Sequence, residues 1–369
     1  MDSNLMSEPS LPSRTSSRAV VFILLAAVLF GASAPLSKIL LGSFDPIALA
    51  GFLYLGSGIS AWIIYTVQRR GKGSQNAEAR LTRSDLPWLA GAVAAGGVIA
   101  PILLMTGLAE TPASTASLLL NFEGVATALL AVWWFKEAVD RRIFLAMGLV
   151  TIAAILLGWT PGRWGFTLGA LAILAACFFW GLDNNLTRQI SGKDPLMIVG
   201  VKGLVAGTFS LLLAIVLGRP LPSLGSAGLA MLLGAFSYGL SIQLFILALR
   251  SLGAARTSTL YSISPFAGVA LSFILLHEIP TKFFWFALPL MIAGAWLMVS
   301  ERHAHLHKHI PLTHSHAHTH PGDLHHQHEH PGLDLSSGRI THAHEHEHQA
   351  LTHSHPHTPD LHHRHGHTP

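Results

Sequence analysis

The stretch Pro195–Leu217, PLMIVGVKGLVAGTFSLLLAIVL, decides the fold class of this chain. Its 23 residues carry a single charged side chain, Lys202, among apolar and small ones. About 20 such residues in a helix span the hydrocarbon core of a bilayer. Lipid offers no hydrogen-bond partner to backbone N–H and C=O groups, so a spanning segment of this kind must be helical. The stretch therefore predicts a transmembrane helix.

Nine further runs of 17 to 23 residues have the same character, and the composition agrees with them. Half of the 369 residues are hydrophobic, the mean hydropathy is +0.47 and only 11% are charged, against about 25% in soluble domains. The sequence therefore predicts an all-α integral membrane protein with ten transmembrane helices. The ten runs are Ala19–Leu41, Pro46–Val67, Leu86–Gly107, Ser114–Phe135, Ile143–Trp159, Phe166–Leu186, Pro195–Leu217, Ala227–Leu249, Thr257–Leu276 and Phe283–Val299.

Basic residues are distributed unevenly between the two sides that alternating spans define. With the N-terminus in the cytoplasm, 15 Lys and Arg residues fall on the inner side and three in the outer loops. The positive-inside rule then places both termini, including residues 1–18, in the cytoplasm of a multi-pass protein of the cell (inner or plasma) membrane. The first run is expected to be an uncleaved helix, since Pro35 would directly follow a signal-peptide cleavage box. The outer basic residues are Arg163, Arg219 and Lys282.

Charge and cysteine usage exclude some other classes. The formal net charge is +4, and the basic residues sit in short clusters between apolar runs, so no nucleic-acid partner is expected. The single cysteine, Cys177, cannot form a disulfide within the chain. The expected partners are the lipid bilayer and a small-molecule substrate, and the sequence leaves open whether the chain acts as a monomer or as a homodimer.

The two halves of the membrane part, 19–159 and 166–300, resemble each other. The matches at shifts of 150, 149 and 141 residues include Phe30-Gly31 with Trp180-Gly181, Asp45-Pro46 with Asp194-Pro195, and Glu137 with Glu278. Five spans is an odd number, so the second half must enter the membrane from the opposite side. The pattern predicts two inverted five-helix repeats, a plan that places a transporter's site near the bilayer midplane.

These motifs resemble the EamA family of the drug/metabolite transporter superfamily, over residues 19 to about 302. The family carries a Trp-Gly pair in the first helix of each half, and a proline-to-glutamate stretch that Pro265 and Glu278 match. The chain departs from the pattern at Phe30, which replaces tryptophan, and at Glu123, which stands where the first half should carry proline. Lys136 and His277 replace the glycine before the glutamate. The resemblance implies ten helices, cytoplasmic termini, and export or exchange of small metabolites or amino-acid-like solutes.

Glu123 is the leading candidate for a functional residue because it lies near the middle of the fourth run. An ionised side chain at that depth costs roughly 2.5–3.5 kcal/mol on insertion scales, so it faces the bundle interior, pairs with another group or stays protonated. One interpretation is a carboxylate that couples protons or binds substrate. The alternative is a buried structural group bonded to Asn121 or to a neutral partner on a helix.

Four more polar residues are candidates for substrate binding or coupling. Lys202 could bind an anionic group or pair with Glu123, or it could extend to the cytoplasmic interface. Asp183 could line a cytoplasmic vestibule or bridge neighbouring helices. Tyr261 and Asn121 fall at related places in the two halves and are candidates for cavity lining. Lys38 is expected to anchor its helix at the membrane interface, and Glu137 and Glu278 are expected to cap helix ends or form salt bridges.

The composition changes abruptly after the last run, and residues 301–369 form a histidine-rich tail. It holds all of the 24 histidines except His277. Apolar residues are too few to bury a core, so the tail is expected to be disordered. Neutral imidazole binds Zn, Ni, Co and Cu, which predicts labile binding of these metals. The alternative is a solvated appendage that buffers protons. The candidate ligands are His314, His316, His318, His325, His326, His353, His355, His362 and His363.

These features are compatible with three functions to different degrees. The leading hypothesis is a secondary transporter of small organic metabolites or amino-acid-like solutes that works by alternating access and requires no cofactor, since no Walker motif is present. The alternative is a divalent-metal transporter, or a metal-regulated permease, in which the tail binds Zn, Ni or Co. An intramembrane enzyme is disfavoured, because the chain has neither His-Glu-x-x-His nor Gly-x-Ser-x-Gly.

Overall fold

The computed structural model describes residues 14–71, 79–134, 141–159, 167–252, 257, 260–299, 303–308, 312–320, 340–348 and 352–357. Helices dominate the membrane part. In the first half they are α1 (Arg14–Gly31), α2 (Ser33–Leu40), α3 (Pro46–Gly71), α4 (Leu86–Ala92), α5 (Ala100–Glu110), α6 (Ala113–Leu119), α7 (Phe122–Trp133) and α8 (Arg141–Gly158). In the second half they are α9 (Leu168–Arg188), α10 (Pro195–Val216), α11 (Leu224–Gly234), α12 (Ser241–Leu252), α13 (Ser264–Leu276) and α14 (Lys282–Val299).

Seven segments of the described chain are long and apolar enough to cross a bilayer. Three shorter apolar helices, of 10 to 17 residues, lie where the sequence places the remaining runs. Seven of the predicted spans are thus confirmed by their length, and the other three helices are shorter than a span requires. The seven are Arg18–Leu40, Pro46–Gln68, Arg83–Glu110, Ala113–Trp133, Leu168–Arg188, Pro195–Val216 and Leu224–Ala248, and the three shorter ones are Arg142–Gly158, Ser264–Leu276 and Lys282–Met298.

Short polar residues fix where several helices begin. Asp194 precedes Pro195, the first residue of α10, and its carboxylate accepts the backbone N–H of Leu196 at 3.0 Å. Thr167 caps α9 through the N–H of Ala170 at 3.1 Å, and Ser223 caps α11 in the same way. Such caps satisfy N–H groups that the first turn of a helix leaves free.

Two of the spans contain a π-helical segment. Val93–Ile99 joins α4 to α5, and Ala235–Leu240 joins α11 to α12. Each is one loose turn inside an otherwise α-helical span, an arrangement that is frequent at functional sites because it shifts the backbone hydrogen-bond register. Two of the predicted runs thus carry a break in helical register near their middle.

The helices of the two halves interlock. Helix α3 packs along α10, and α8 packs along α14. Helix α1 packs against α12 and α13, while α9 packs against α5 and α7. The π segment Val93–Ile99 contacts α9 and α10, and the segment Ala235–Leu240 contacts α1 and α3. The first helix of each half therefore packs against two helices of the other half, α1 against α12 and α13, and α9 against α5 and α7.

Glycines allow the closest of these crossings. A Cβ on Gly203 of α10 would lie 2.5 Å from the backbone nitrogen of Gly58 on α3. A Cβ on Gly207 would lie equally close to the backbone nitrogen of Leu55. Small residues let membrane helices approach closely enough for dispersion to hold them together, since lipid supplies no hydrophobic drive between helices.

The tail, for which disorder was predicted, contains four short strands in the structure. These are β1 (His303–Lys308), β2 (Leu312–His320), β3 (Ile340–His348) and β4 (Thr352–His357). Strand β1 pairs antiparallel with β4, and β2 with β3. The physical reason is the alternation of histidine with threonine, serine and other residues, since a period of two matches a strand and threonine favours extended backbone. Prediction from low apolar content alone missed this period.

Candidate functional site

A group of polar side chains connects α7, α9 and α10 beside the π segment Val93–Ile99, which packs against α9 and α10. We call Glu123, Thr127, Asp183, Asn184 and Lys202 the central polar cluster. Glu123 is the middle residue of the span Ala113–Trp133. Ionisable groups at this depth are rare and mark substrate paths or proton relays. The cluster is therefore the leading candidate for the functional site.

Glu123 is half-buried and is held by neutral donors. The amide nitrogen of Asn184 donates to its Oε1 at 2.8 Å and to the hydroxyl of Thr127 at 3.2 Å. The Thr127 hydroxyl donates in turn to the backbone carbonyl of Glu123 at 2.8 Å. In the part of the chain that the structure describes, Glu123 forms no ion pair. When ionised, this carboxylate has no cation bonded to it among the described residues.

Lys202 is bonded to Asp183 rather than to Glu123. Its ammonium forms an ion pair with Asp183 Oδ2, and the hydroxyl of Thr187 donates to Oδ1 at 3.0 Å. The Asp183 side chain is 6% exposed and that of Lys202 17%. Of the alternatives predicted for Lys202, the structure shows an anionic partner, which is Asp183 rather than Glu123. Gly96 makes room for this carboxylate, since a Cβ there would clash with it.

Asn121 does not reach the cluster. Its side-chain amide donates to the backbone carbonyl of Leu118 at 3.0 Å, three residues earlier, at the break between α6 and α7. Of the two partners that the structural alternative allowed for Glu123, the structure shows the neutral one on another helix, Asn184 of α9, and not Asn121. Asn184 directly follows the predicted Asp183 in the sequence.

The π segment exposes a carbonyl to two aromatic side chains. Ala100 N–H bonds the carbonyl of Ala95, five residues back, so the Gly96 carbonyl that an α-helix would engage is left for other donors. The Tyr54 hydroxyl donates to it at 2.7 Å, and the Trp180 indole nitrogen at 3.1 Å. This ties α3 and α9 to the midpoint of the span Arg83–Glu110.

Aromatic rings continue from this point across the bundle. The ring of Tyr54 lies 5.8 Å from that of Tyr238, which lies 5.8 Å from Phe30. Phe30 lies 5.7 Å from Tyr261, whose hydroxyl is 3.5 Å from that of Ser241. The structure thus brings the predicted Tyr261 into a wall of rings on the side of the bundle formed by α1, α3 and α12. Tyr238 and Thr127 were not predicted, although each stands as a polar side chain inside an apolar run.

The charged residues at two helix ends have structural partners. The Lys38 ammonium does not face a substrate path. It donates to the backbone carbonyls of Leu108, Ala109 and Thr111 at 2.6–3.0 Å. The Glu278 carboxylate accepts the N–H groups of Ala113 and Ser114 at 2.6 and 2.8 Å. Lys38 thus completes the end of α5, where anchoring at the membrane interface was predicted for it, and Glu278 caps the start of α6. Glu137 lies outside the described residues.

Metal-ligand geometry is absent from the described helical part, where no three His, Cys, Asp or Glu side chains come close enough to hold an ion. Of the predicted tail ligands, five lie on the strands and four fall outside the described residues. The five are His314, His316, His318, His353 and His355, and the four are His325, His326, His362 and His363.

Comparison with known proteins gives a consistent result. The model of the EamA-like transporter family matches residues 17–159 and again residues 167–300. An "uncharacterized transporter" of Methanothermobacter thermautotrophicus is 33% identical over 277 residues, which cover 70% of this chain and 79% of that protein. A "probable terminal-alkyne amino-acid exporter" of Streptantibioticus cattleyicolor is 26% identical over 286 residues, 76% of this chain and 93% of that protein.

A solved crystal structure shares the fold. It superposes with a TM-score of 0.54 and covers 76% of this chain and 96% of its own. At 19% sequence identity, this likeness bears on the fold alone.

Proposed function

The chain belongs to the EamA-like transporter family, and we propose that it is a secondary transporter of small organic solutes that works by alternating access. The family and its named transporter relatives support a multi-pass membrane protein with a transport role rather than an enzyme.

The central polar cluster carries the proposal. It contains two carboxylates, Glu123 and Asp183, and one ammonium, Lys202, which is bonded to Asp183. When all three side chains are ionised, their net charge is one negative charge. Keeping an unpaired carboxylate at this depth is unfavourable, so a cation must accompany Glu123 for part of the cycle. A proton or the ammonium group of a substrate can fill that role.

We propose amino-acid-like solutes as the substrate class. A zwitterion brings the ammonium that Glu123 requires, and Lys202 supplies a positive charge close by for an anionic group. The rings of Tyr54, Tyr238, Phe30 and Tyr261 offer a surface for an apolar side chain, and aromatic faces also attract cations. The name of the Streptantibioticus cattleyicolor relative, an amino-acid exporter, points in the same direction.

The proposed layout is ten membrane helices in two inverted halves, 19–159 and 166–300, with both termini in the cytoplasm of the cell membrane. The reciprocal packing of the helices supports it, because α1 meets the third and fourth spans of the second half as α9 meets those of the first. The two π segments support it as well, since each lies in the third span of its half. Alternating access would then rock one half against the other around the cluster.

The test is transport in proteoliposomes, with a panel of radiolabelled amino acids and organic acids and an imposed pH gradient. Glu123→Gln keeps the shape but removes the charge, and a hydrogen bond to a charged group is worth about 1.5–3 kcal/mol. We expect a loss of flux of about tenfold to a hundredfold, together with loss of any response to the gradient. The control is Glu110→Gln, a carboxylate at the exposed end of α5.

Wild-type flux in Glu123→Gln, with an unchanged pH response, would remove Glu123 from the mechanism. Flux of organic acids without flux of amino acids would leave the site in place and correct the substrate class.

A second proposal concerns the tail, which we infer binds Zn, Ni, Co or Cu loosely and regulates the carrier. The strand register favours it, because histidines stand opposite histidines: His314 with His346, His316 with His344, and His318 with His342. Strands β1 and β4 repeat this with His305 opposite His355 and His307 opposite His353. Directly opposed residues have Cβ atoms about 4.5–5.5 Å apart, a spacing at which two imidazoles can share one ion.

Removing the tail tests this role. Deletion of residues 303–369 is expected to lower the number of Zn ions bound per chain, measured by calorimetry on purified protein, while leaving solute flux without metal intact. Equal Zn binding by the full and shortened chains would disprove tail binding. Equal flux with and without Zn in the full chain would disprove regulation.

A further inference from the structure

An apolar groove lies on the outer surface of the bundle, between the span Arg83–Glu110 and helix α10. Its volume is about 470 Å³. Its walls are formed by side chains such as Leu86, Ala90, Ala94 and Ile99 on one side and Val205 and Phe209 on the other. Several of these are about half exposed, for example Leu86 at 54% and Phe209 at 53%. The groove opens toward lipid, away from the central polar cluster.

The length of the groove matches one leaflet. Leu86 and Ile99 are 13 positions apart, which is about 20 Å at 1.5 Å per residue. Half of a hydrocarbon core is about 15 Å. Trp88 is 40% exposed and lies near Leu86, at one end of the groove. Tryptophan is enriched at the level of lipid head groups. The groove therefore runs from one membrane interface to just past the midplane.

The interfacial end of the groove is positively charged. Arg80 and Arg83 are exposed immediately before Leu86. The carboxylates nearby among the described residues are already engaged: Asp85 binds Lys193 at 3.4 Å and Thr82, and Asp194 caps α10. Within the described part of the chain, neither arginine forms an ion pair. Two guanidinium groups at the head-group level are suited to bind a phosphate.

We propose that this groove binds one acyl chain of an anionic phospholipid, whose phosphate is held by Arg83 and Arg80. The wholly apolar walls fit the chain, and the two arginines select a negative head group over a zwitterionic one. In the proposed orientation the lipid belongs to the cytoplasmic leaflet, which is the only part of the inference that rests on the proposed topology.

The bound chain would lie against the wall that positions Lys202. A Cβ on Gly97 would lie 2.7 Å from the Cβ of Ala206 and 3.6 Å from Cγ of Lys202, so only this crossing separates the groove from the cluster. Lipid occupancy would thus support the contact of the π segment with α10 and, through it, the Lys202–Asp183 pair.

Native mass spectrometry of the full chain in detergent tests the inference, with added phosphatidylglycerol, phosphatidylcholine of the same chains, or inorganic phosphate. We expect one phosphatidylglycerol to bind at least about tenfold more tightly than phosphatidylcholine, because each basic side chain near an anionic head group contributes roughly fivefold. Arg83→Gln should weaken phosphatidylglycerol about fivefold. Arg18→Gln, an exposed arginine at the start of another span, should leave it unchanged.

The apolar part has its own variants. Ala94→Trp and Val205→Trp fill the groove from its two walls, and each should weaken phosphatidylglycerol about tenfold, so misfolding of one leaves the other to decide. Leu229→Trp, on the lipid-exposed face of α11, is the matched control. Equal binding of the two lipids, equal effects of the groove and control variants, or displacement of phosphatidylglycerol by millimolar inorganic phosphate would each overturn the proposal.

Discussion

At the scale of single residues, two neighbouring carboxylates in the bundle differ in their bonding partners. Asp183 forms an ion pair with Lys202 and accepts a hydrogen bond from a hydroxyl. Among the described residues, the Glu123 carboxylate accepts a hydrogen bond only from the amide of Asn184. A buried ion pair contributes little net stability, but removing one partner leaves a charge that nothing compensates. We therefore interpret the Lys202–Asp183 pair as scaffold and positive pole, and Glu123 as the group free to exchange cations.

Substitution of the pair tests this division. Asp183→Asn should lower stability by about 3–5 kcal/mol, because Lys202 is then buried without its counter-ion. The double variant Asp183→Asn with Lys202→Met removes both charges and should regain most of that loss. Thermal unfolding in detergent, followed by circular dichroism, measures both. If the double variant is no more stable than the single one, the pair is not the source of the effect.

At the scale of elements, the π segments are the features that position the site. The segment Val93–Ile99 frees the Gly96 carbonyl, and Tyr54 and Trp180 fasten α3 and α9 to it. It also presents Gly96 and Gly97 to Asp183 and α10, where a side chain would not fit. A regular α-helix would rotate these positions away from the cluster. The second segment, Ala235–Leu240, brings Tyr238 between Tyr54 and Phe30.

Elements are also joined at one end of the bundle by side chains from distant spans. Lys38 binds carbonyls at the end of α5, and Glu278 binds N–H groups at the start of α6. These charges match the negative and positive poles of the respective helix ends. The connection between α5 and α6 is thereby held by α2 and by the chain after α13.

At the scale of the whole molecule, the proposed inverted plan makes a prediction about topology. The only native cysteine, Cys177, is fully buried, so new cysteines can be labelled in a Cys177→Ala background. Ser3→Cys and Thr368→Cys should react with a membrane-impermeant maleimide only in inside-out vesicles. Leu221→Cys, between α10 and α11, should react only in right-side-out vesicles. Labelling of the two chain ends from opposite faces would contradict an even number of crossings.

The sequence by itself determined the membrane class, the helical state of the apolar runs and the family resemblance. Spanning helices satisfy their hydrogen bonds within one segment, so apolar length is a local signal that needs no tertiary information. The same locality made Glu123 and Lys202 stand out, because a charge is rare inside an apolar run.

Only the tertiary structure decided the partners. Lys202 binds Asp183 across 19 residues, Asn184 binds Glu123 across 61, and Glu278 binds Ala113 across 165. Such pairings depend on helix crossings at glycine and on the register shift of the π segments, and neither is encoded in the hydropathy of one run. The physical reason is that lipid dictates each helix separately, whereas close packing between helices selects which polar groups meet.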